Sequence, residues 1–267
     1  MGQIKTSFLL RHGLLILLSG FLLLSACATV PTDPIAREEY EQRNDPLEPM
    51  NRKISSFNMV VNKYIYRPFS HIYRQMTPEF VRTGITNFST NLRQPVIFVN
   101  AILQGDFEDG AQTFGRFFTN TTLGIGGLFD VATKFDIAAP QKDFGQTLYK
   151  WGLKQEGPYL VIPFLGPSNV RDTTGMVAGF FIDPVDWALP KAEDGLLWWR
   201  YGIQAVSDVN KSTDLIYNLE QSSVDPYATM RTMYRQNRRQ FLSGDDESAK
   251  ENYDFDFPDF EESDDEF

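Results

Sequence analysis

Few residues in this chain are equipped for chemistry, and the best placed of them is a cysteine. Cys27 is the sole cysteine of the 267 residues and follows Leu24-Ser25-Ala26. A branched residue, two small residues and cysteine form a bacterial lipobox, whose processing leaves the cysteine N-terminal and acylated. Alone in the chain, Cys27 has no thiol to bridge with and no partners for a thiolate cluster. Outside the leader there is one histidine, His71, in Arg67-Pro68-Phe69-Ser70-His71 with no motif around it. A Ser-His-Asp or Cys-His arrangement would have to use it, and a surface histidine is the plainer reading. One histidine and no spare cysteine argue against zinc. Gly166-Pro167-Ser168-Asn169 lacks the form of a nucleophile elbow. Asp143-Phe144-Gly145 matches a kinase tripeptide without its companion motifs, and no phosphate loop is present.

The second chemically suggestive set is Arg231, Arg235, Arg238 and Arg239, spaced by four, three and one. On a helix these share a face. They read as a solvated basic face or a docking surface for the acidic segment that follows, or else as a contact for lipid phosphates, which arginine meets with paired hydrogen bonds.

Both ends of the chain stand apart from its body. Lys5 and Arg11 precede the apolar run Leu14 to Leu24, so residues 1–26 read as a secretory leader rather than a spanning helix. Several acyl chains on Cys27 would anchor stably where one would bind reversibly. Ala28 is not the aspartate that retains such proteins at the inner membrane, which favours the outer one. Residues 27–44 read as a lipidated N-terminus and tether. At the far end, residues 245–267 carry twelve acids and one lysine. The whole chain has a formal charge of −10 and the leader carries two cations, so the body is near neutral and the acidity belongs to the tail. Like charges in a block repel, so the tail is expected to be a solvated, disordered segment; its spaced Tyr253, Phe255, Phe257 and Phe260 would otherwise dock on a partner. Nothing in this balance suggests nucleic-acid binding.

Residues 45–244 suit one mainly α domain. Asp45-Pro46-Leu47-Glu48 predicts an N-cap, a proline at the first helical position and a capping box. Leu47, Met50, Ile54, Phe57, Val61 and Tyr64 then recur at helical steps, in a helix expected to stop near Pro68. Thr77-Pro78-Glu79 predicts another helix and Gln94-Pro95 a separate one. Phe107, Ala111, Phe114, Phe118 and Thr121 form a further stripe, followed by a turn at Gly124, Gly126 and Gly127. A long helix is expected over Asp194 to Leu219 and a last one from Asp225-Pro226. The best strand is Tyr159-Leu160-Val161-Ile162, ended by Pro163. No apolar run after the leader reaches the roughly 20 residues that cross a bilayer. With phenylalanines crowding one third of the chain, the apolar stripes face either a core or lipid.

Taken in order, these residues resemble the MlaA (VacJ) lipoprotein family. The matching motifs are Asp45-Pro46-Leu47-Glu48, Asn51-Arg52, Phe57-Asn58, Arg67-Pro68, Asn87-Phe88, Asn91-Leu92, Pro95, Asn100 and Leu103-Gln104-Gly105. They continue through Arg116-Phe117, Asn120-Thr121, Gly124, Gly126-Gly127, Asp130-Val131-Ala132, Asp143-Phe144-Gly145 and Thr147-Leu148. Gly157-Pro158-Tyr159, Pro163, Gly166, Arg171-Asp172 and Asp225-Pro226-Tyr227 complete the series. Lys154-Gln155-Glu156, where a shorter glycine-containing turn is expected, and the acidic tail depart from the pattern. The resemblance implies a helical ring in the inner leaflet of the outer membrane, lipid-anchored at the periplasmic face, around an amphipathic channel. It implies a role without catalysis, cofactor or metal: taking misplaced phospholipid from the outer leaflet to a periplasmic carrier, MlaC, beside a trimeric porin. Phe57 and Asn58 become candidates for control of the channel. Phe117, Phe118, Leu123, Ile125, Leu128 and Phe129 become candidates for lipid contact, with core packing as the alternative. A structural porin-associated lipoprotein and a phospholipid acyl hydrolase are the rival readings.

The lipobox makes one prediction. Cys27→Ala should abolish incorporation of radiolabelled palmitate into the chain; label retained by the variant would disprove the anchor assignment.

Overall fold

The computed structural model describes residues 45–188 and 194–243; the leader, Cys27, the tether and the acidic tail lie outside the described residues. Helix α1 (Glu48–Val61) runs through a π-helical turn at Asn62–Tyr66 directly into α2 (Arg67–Met76). The chain therefore does not stop at Pro68. A proline ring clashes with the carbonyl four residues back, and the wider turn, in which the Arg67 amide reaches back to the Asn62 carbonyl, makes room for it. Helix α3 (Glu79–Leu103) is likewise one helix where two were expected, with Pro95 inside it. It packs along α4 (Phe107–Thr122) as a helical hairpin, and this packing offsets the hydrogen bond that Pro95 cannot donate.

The predicted glycine turn follows α4. Gly126 and Gly127 have φ of +69° and +96°, and a Cβ on Gly127 would lie 2.6 Å from the Asn91 side chain. Glycine is required there by both conformation and space. A 3₁₀ turn (Ala132–Phe135) and α5 (Phe144–Lys150) come next, the latter capped by Asp143, whose Oδ1 accepts the Gln146 amide at 2.7 Å. The strand read at Tyr159–Ile162, β1, pairs antiparallel with β2 (Gly166–Asn169). The sequence of β2, Gly-Pro-Ser-Asn, carries no strand signal. Helices α6 (Val170–Ile182), α7 (Pro184–Ala188), α8 (Asp194–Ser222) and α9 (Pro226–Ser243) complete the chain. The close approach of α5 and α6 depends on glycines: a Cβ on Gly175 would lie 2.4 Å from the Gly145 amide nitrogen.

The expected capping box at Asp45 is not formed. The helix begins at Glu48 after Leu47, without a side-chain cap. The buried Asp45 carboxylate instead accepts from Asn51 Nδ2 at 2.8 Å, from Arg231 Nη1 at 2.7 Å and from the Tyr227 hydroxyl. Long-range, charge-assisted partners outcompete a local amide. Asn51 and Asn58 then serve α1 as the neighbour that β1 lacks. Asn51 donates to the Tyr159 carbonyl and accepts from the Val161 amide, both at 3.0 Å. Asn58 donates to the Ile162 carbonyl at 3.0 Å and accepts from the Phe164 amide at 2.8 Å. Two helical turns span about 10.5 Å and three strand residues about 10 Å, so asparagines seven apart match the strand's repeat and cap its edge.

The apolar core is small. Tyr159, Val161 and Tyr227 form a buried cluster with Ile54 and Tyr234 against it. Replacing Asp45 by alanine would leave the largely buried Arg231 with only the longer contact to Glu48, at 3.7 Å, and should destabilise the domain by about 3 kcal/mol. The check is the urea midpoint of the detergent-solubilised domain; an unchanged midpoint would assign the cluster no structural weight.

Candidate lipid-handling site

The described residues distribute polarity in reverse. Buried side chains are predominantly polar or charged, among them Asn51, Asn62, Asn100, Thr113, Thr147 and Asn169. Exposed side chains include a long series of large apolar ones. On α4, Thr113, Arg116 and Asn120 face inward while Phe107, Phe114 and Phe118 face out. The stripe read from the sequence is therefore real but turned away from the interior. Of the six lipid-contact candidates, Phe118, Leu123, Ile125 and Phe129 are 59–66% exposed. Leu128 is also exposed and Phe117 half-buried. The first five cannot be core residues. Arg116 holds their turn from within, donating to the Ile137 carbonyl at 2.6 Å and to Asp130 at 2.8 Å, while Asn120 bonds Asp130 and the Ala132 amide. An apolar coat of this size on a water-facing protein would be an association hazard. No described helix is long and apolar enough to cross a membrane.

A cavity of about 660 Å³ lies between α1 with its π turn, the hairpin turn, α8 and α9. Its lining includes polar side chains, Asn58, Asn62, Asp208, Asn237 and Arg238, and apolar ones, Met59, Leu215, Ile216, Met230 and Met233. Asn62 is almost fully buried, and its amide donates to the Thr213 carbonyl at 3.3 Å. Of the two channel candidates, Asn58 lines this cavity and Phe57 lies beside it against Phe164. Asn58 lines the cavity and holds the hairpin turn, and the Phe57 ring meets Phe164 of that turn edge-on at 5.2 Å between centroids.

The four arginines share α9, as the spacing predicts, but three of them hold the fold. Arg231 takes Asp45; Arg235 takes Glu156 at 2.7 Å. Arg238 binds both oxygens of Asp143, at 2.6 and 2.9 Å, and also Asp172 at 2.7 Å. Their guanidinium groups are thus occupied by carboxylates rather than presented to solvent, and Arg239 is the exposed member. Lys154-Gln155-Glu156, the departure noted in the sequence, supplies the partner of Arg235. Burial pushes the Asp172 carboxyl up, but the Arg238 charge and the Tyr234 hydroxyl outweigh it and hold that carboxyl below its ordinary range. His71 is exposed on α2, its ring nitrogen 2.9 Å from the Gln75 amide. Among the described residues no His, Cys, Asp and Glu group could hold a metal.

Sequence reasoning missed Asn51, Asn62 and the methionines of α9. The signal available was asparagine at positions 51, 58 and 62, spaced seven and four on the face that apolar periodicity assigned to solvent.

A mainly α fold with a polar interior, an apolar coat and an amphipathic cavity defines a lipid-handling protein rather than an ordinary water-soluble one. Comparison places it more closely. Residues 43–241 match the family model of the MlaA lipoprotein, and the chain belongs to that family. It is 37% identical over 238 residues, 87% of this chain and 90% of the relative, to the intermembrane phospholipid transport system lipoprotein MlaA of Escherichia coli (strain K12). The counterpart in Haemophilus influenzae is 32% identical over 210 residues, 75% of this chain and 80% of its own length. A solved structure described as the basis for maintenance of bacterial outer membrane lipid asymmetry superposes with a TM-score of 0.64 at 33% identity, covering 74% of this chain and 98% of its own. Both sequence relatives are named as lipoproteins of an intermembrane phospholipid transport system.

The geometry at Asn58 makes a prediction. Asn58→Ala removes the acceptor of the Phe164 amide and should speed that amide's hydrogen exchange about tenfold, the weight of one net hydrogen bond. Unchanged exchange would mean that Asn58 does not hold the turn.

Proposed function

We propose that this chain is an outer-membrane lipoprotein that removes mislocalised phospholipid from the outer leaflet and passes it to a soluble periplasmic carrier of the MlaC kind. Anchored through Cys27 at the periplasmic face, it lies as a helical ring in the inner leaflet. A trimeric porin holds it there. The observation that carries the reading is the reversed polarity around an amphipathic cavity. The coat formed by Phe118, Leu123, Ile125, Leu128 and Phe129 suits acyl chains, with Phe117 beneath it. The cavity is lined by apolar side chains suited to lipid tails and by polar ones suited to a headgroup. A chain that merely braced a porin would need the coat but not the cavity. A phospholipid outside its proper leaflet is already out of place, so passage through the ring needs no catalytic group and no cofactor. Asn58, which lines the cavity, and Phe57 beside it, both on α1 and packed against the hairpin turn, are the residues that control admission.

Deleting the gene should raise outer-leaflet phospholipid, measured as substrate available to an external phospholipase. Wild-type chain should restore the barrier and Cys27→Ala should not. No rise on deletion, in a host without a second homologue, would sink the transport reading and favour the porin brace.

A further inference from the structure

A second cavity, of about 390 Å³, lies behind the first. Its own walls include Val96, Asn100, Lys142, Phe144 and Met176, from α3, the loop before α5, α5 and α6. Pro167, Tyr234 and Arg238 line both cavities, so they form the partition between them. Arg238 is the one cation among the described residues that line the larger cavity, and with Lys142 it is one of two that line the smaller. A phosphodiester inside the larger cavity therefore has a single full positive charge to meet. That charge is shared. Arg238 is bound by Asp143 of the α5 cap and Asp172 of α6, and the Tyr234 hydroxyl donates to Asp172 at 2.6 Å. The partition is thus closed by carboxylates holding an arginine that a phosphate, with the same paired geometry, would also bind.

We propose that the smaller cavity is a second compartment for the phospholipid headgroup, and that Arg238 moves a headgroup phosphate between the two by exchanging its carboxylate partners for it. The proposal rests on the transport reading above. An incoming phosphate takes hydrogen bonds from Arg238, Asp143 is released from it, and the partition opens as the charge passes. Lys142 waits on the far side, paired with Asp106 and Asp109 at 2.9 and 2.6 Å. The packing is close: a Cβ on Gly145 would lie 2.6 Å from Arg238 Nη2 and from Asp172 Oδ1, so a larger residue there would displace the ends of both side chains.

The test places a photoreactive benzoylphenylalanine at Leu215, in the larger cavity, or at Met176, in the smaller. Cells expressing the full chain are grown in radioactive phosphate and irradiated, and label bound to the purified protein is counted. Both positions should label. Asp143→Asn keeps an acceptor for the α5 cap but frees Arg238 of one charge; it should raise labelling at Met176 about tenfold relative to Leu215. Arg238→Gln should lose labelling at Met176 while Leu215 still labels, which also shows that the variant is folded. Labelling at Leu215 without any at Met176 in the native background overturns the second compartment. Labelling at Met176 that ignores both substitutions overturns the role of Arg238. An unlabelled Leu215 in the native background removes the transport reading itself, and the inference with it.

Discussion

A helix whose apolar face points outward gains nothing from burying that face against its neighbours, so something else must hold the helices together. Here it is hydrogen bonding between buried polar groups. Asp45 joins the start of the domain to α9, Asn51 and Asn58 join α1 to the hairpin, and Arg238 joins α9 to α5 and α6. Arg200 does the same for α7 and α8, bonding Asp186 at 2.5 Å and also Asp183. Set in lipid, as proposed, such contacts and the close approach of small residues are what remains to drive association. The glycine contact between α5 and α6 belongs to the same logic.

This constraint explains why the interior is expensive to alter. A buried polar group left without its partner costs more than a satisfied one contributes. The network is therefore interlocked: Asp172 serves Asn169, Arg238 and Tyr234 together, and Asp45 serves three donors from two elements. An interior of this kind also suits a cavity with a polar wall. A conventional apolar core would have collapsed around the space or left it dry and featureless.

The hairpin links architecture to site. It is a two-stranded element with little intrinsic stability, and it survives because two asparagine amides complete its edge. The same contact sets Asn58 in the cavity lining, with Phe57 packed on the turn beside it. The residue that stabilises the element and the residue that borders the cavity are one, which ties the rigidity of the turn to the shape of the cavity.

The sequence alone determined what local rules govern. The expectation of a leader and a lipidated Cys27 rests on hydropathy and a short motif, and both lie outside the described residues. The long α8, the cap at Asp225, the glycine turn and β1 follow from periodicity and turn chemistry. Ordered motifs over the body gave the family. The sequence also showed stripes, such as Phe107-Phe114-Phe118, but not which way they face, because periodicity measures amphipathicity and not the solvent outside. Only the tertiary structure decided that. It likewise turned Asp45 from a cap into a hub and spent three arginines of α9 on carboxylates. It carried helices through Pro68 and Pro95 and made a strand of Gly166–Asn169. For Asp45, Asn58 and Arg238 partners 95 to 186 residues away overrode the local preference, and a separation of that kind leaves no trace in a local pattern.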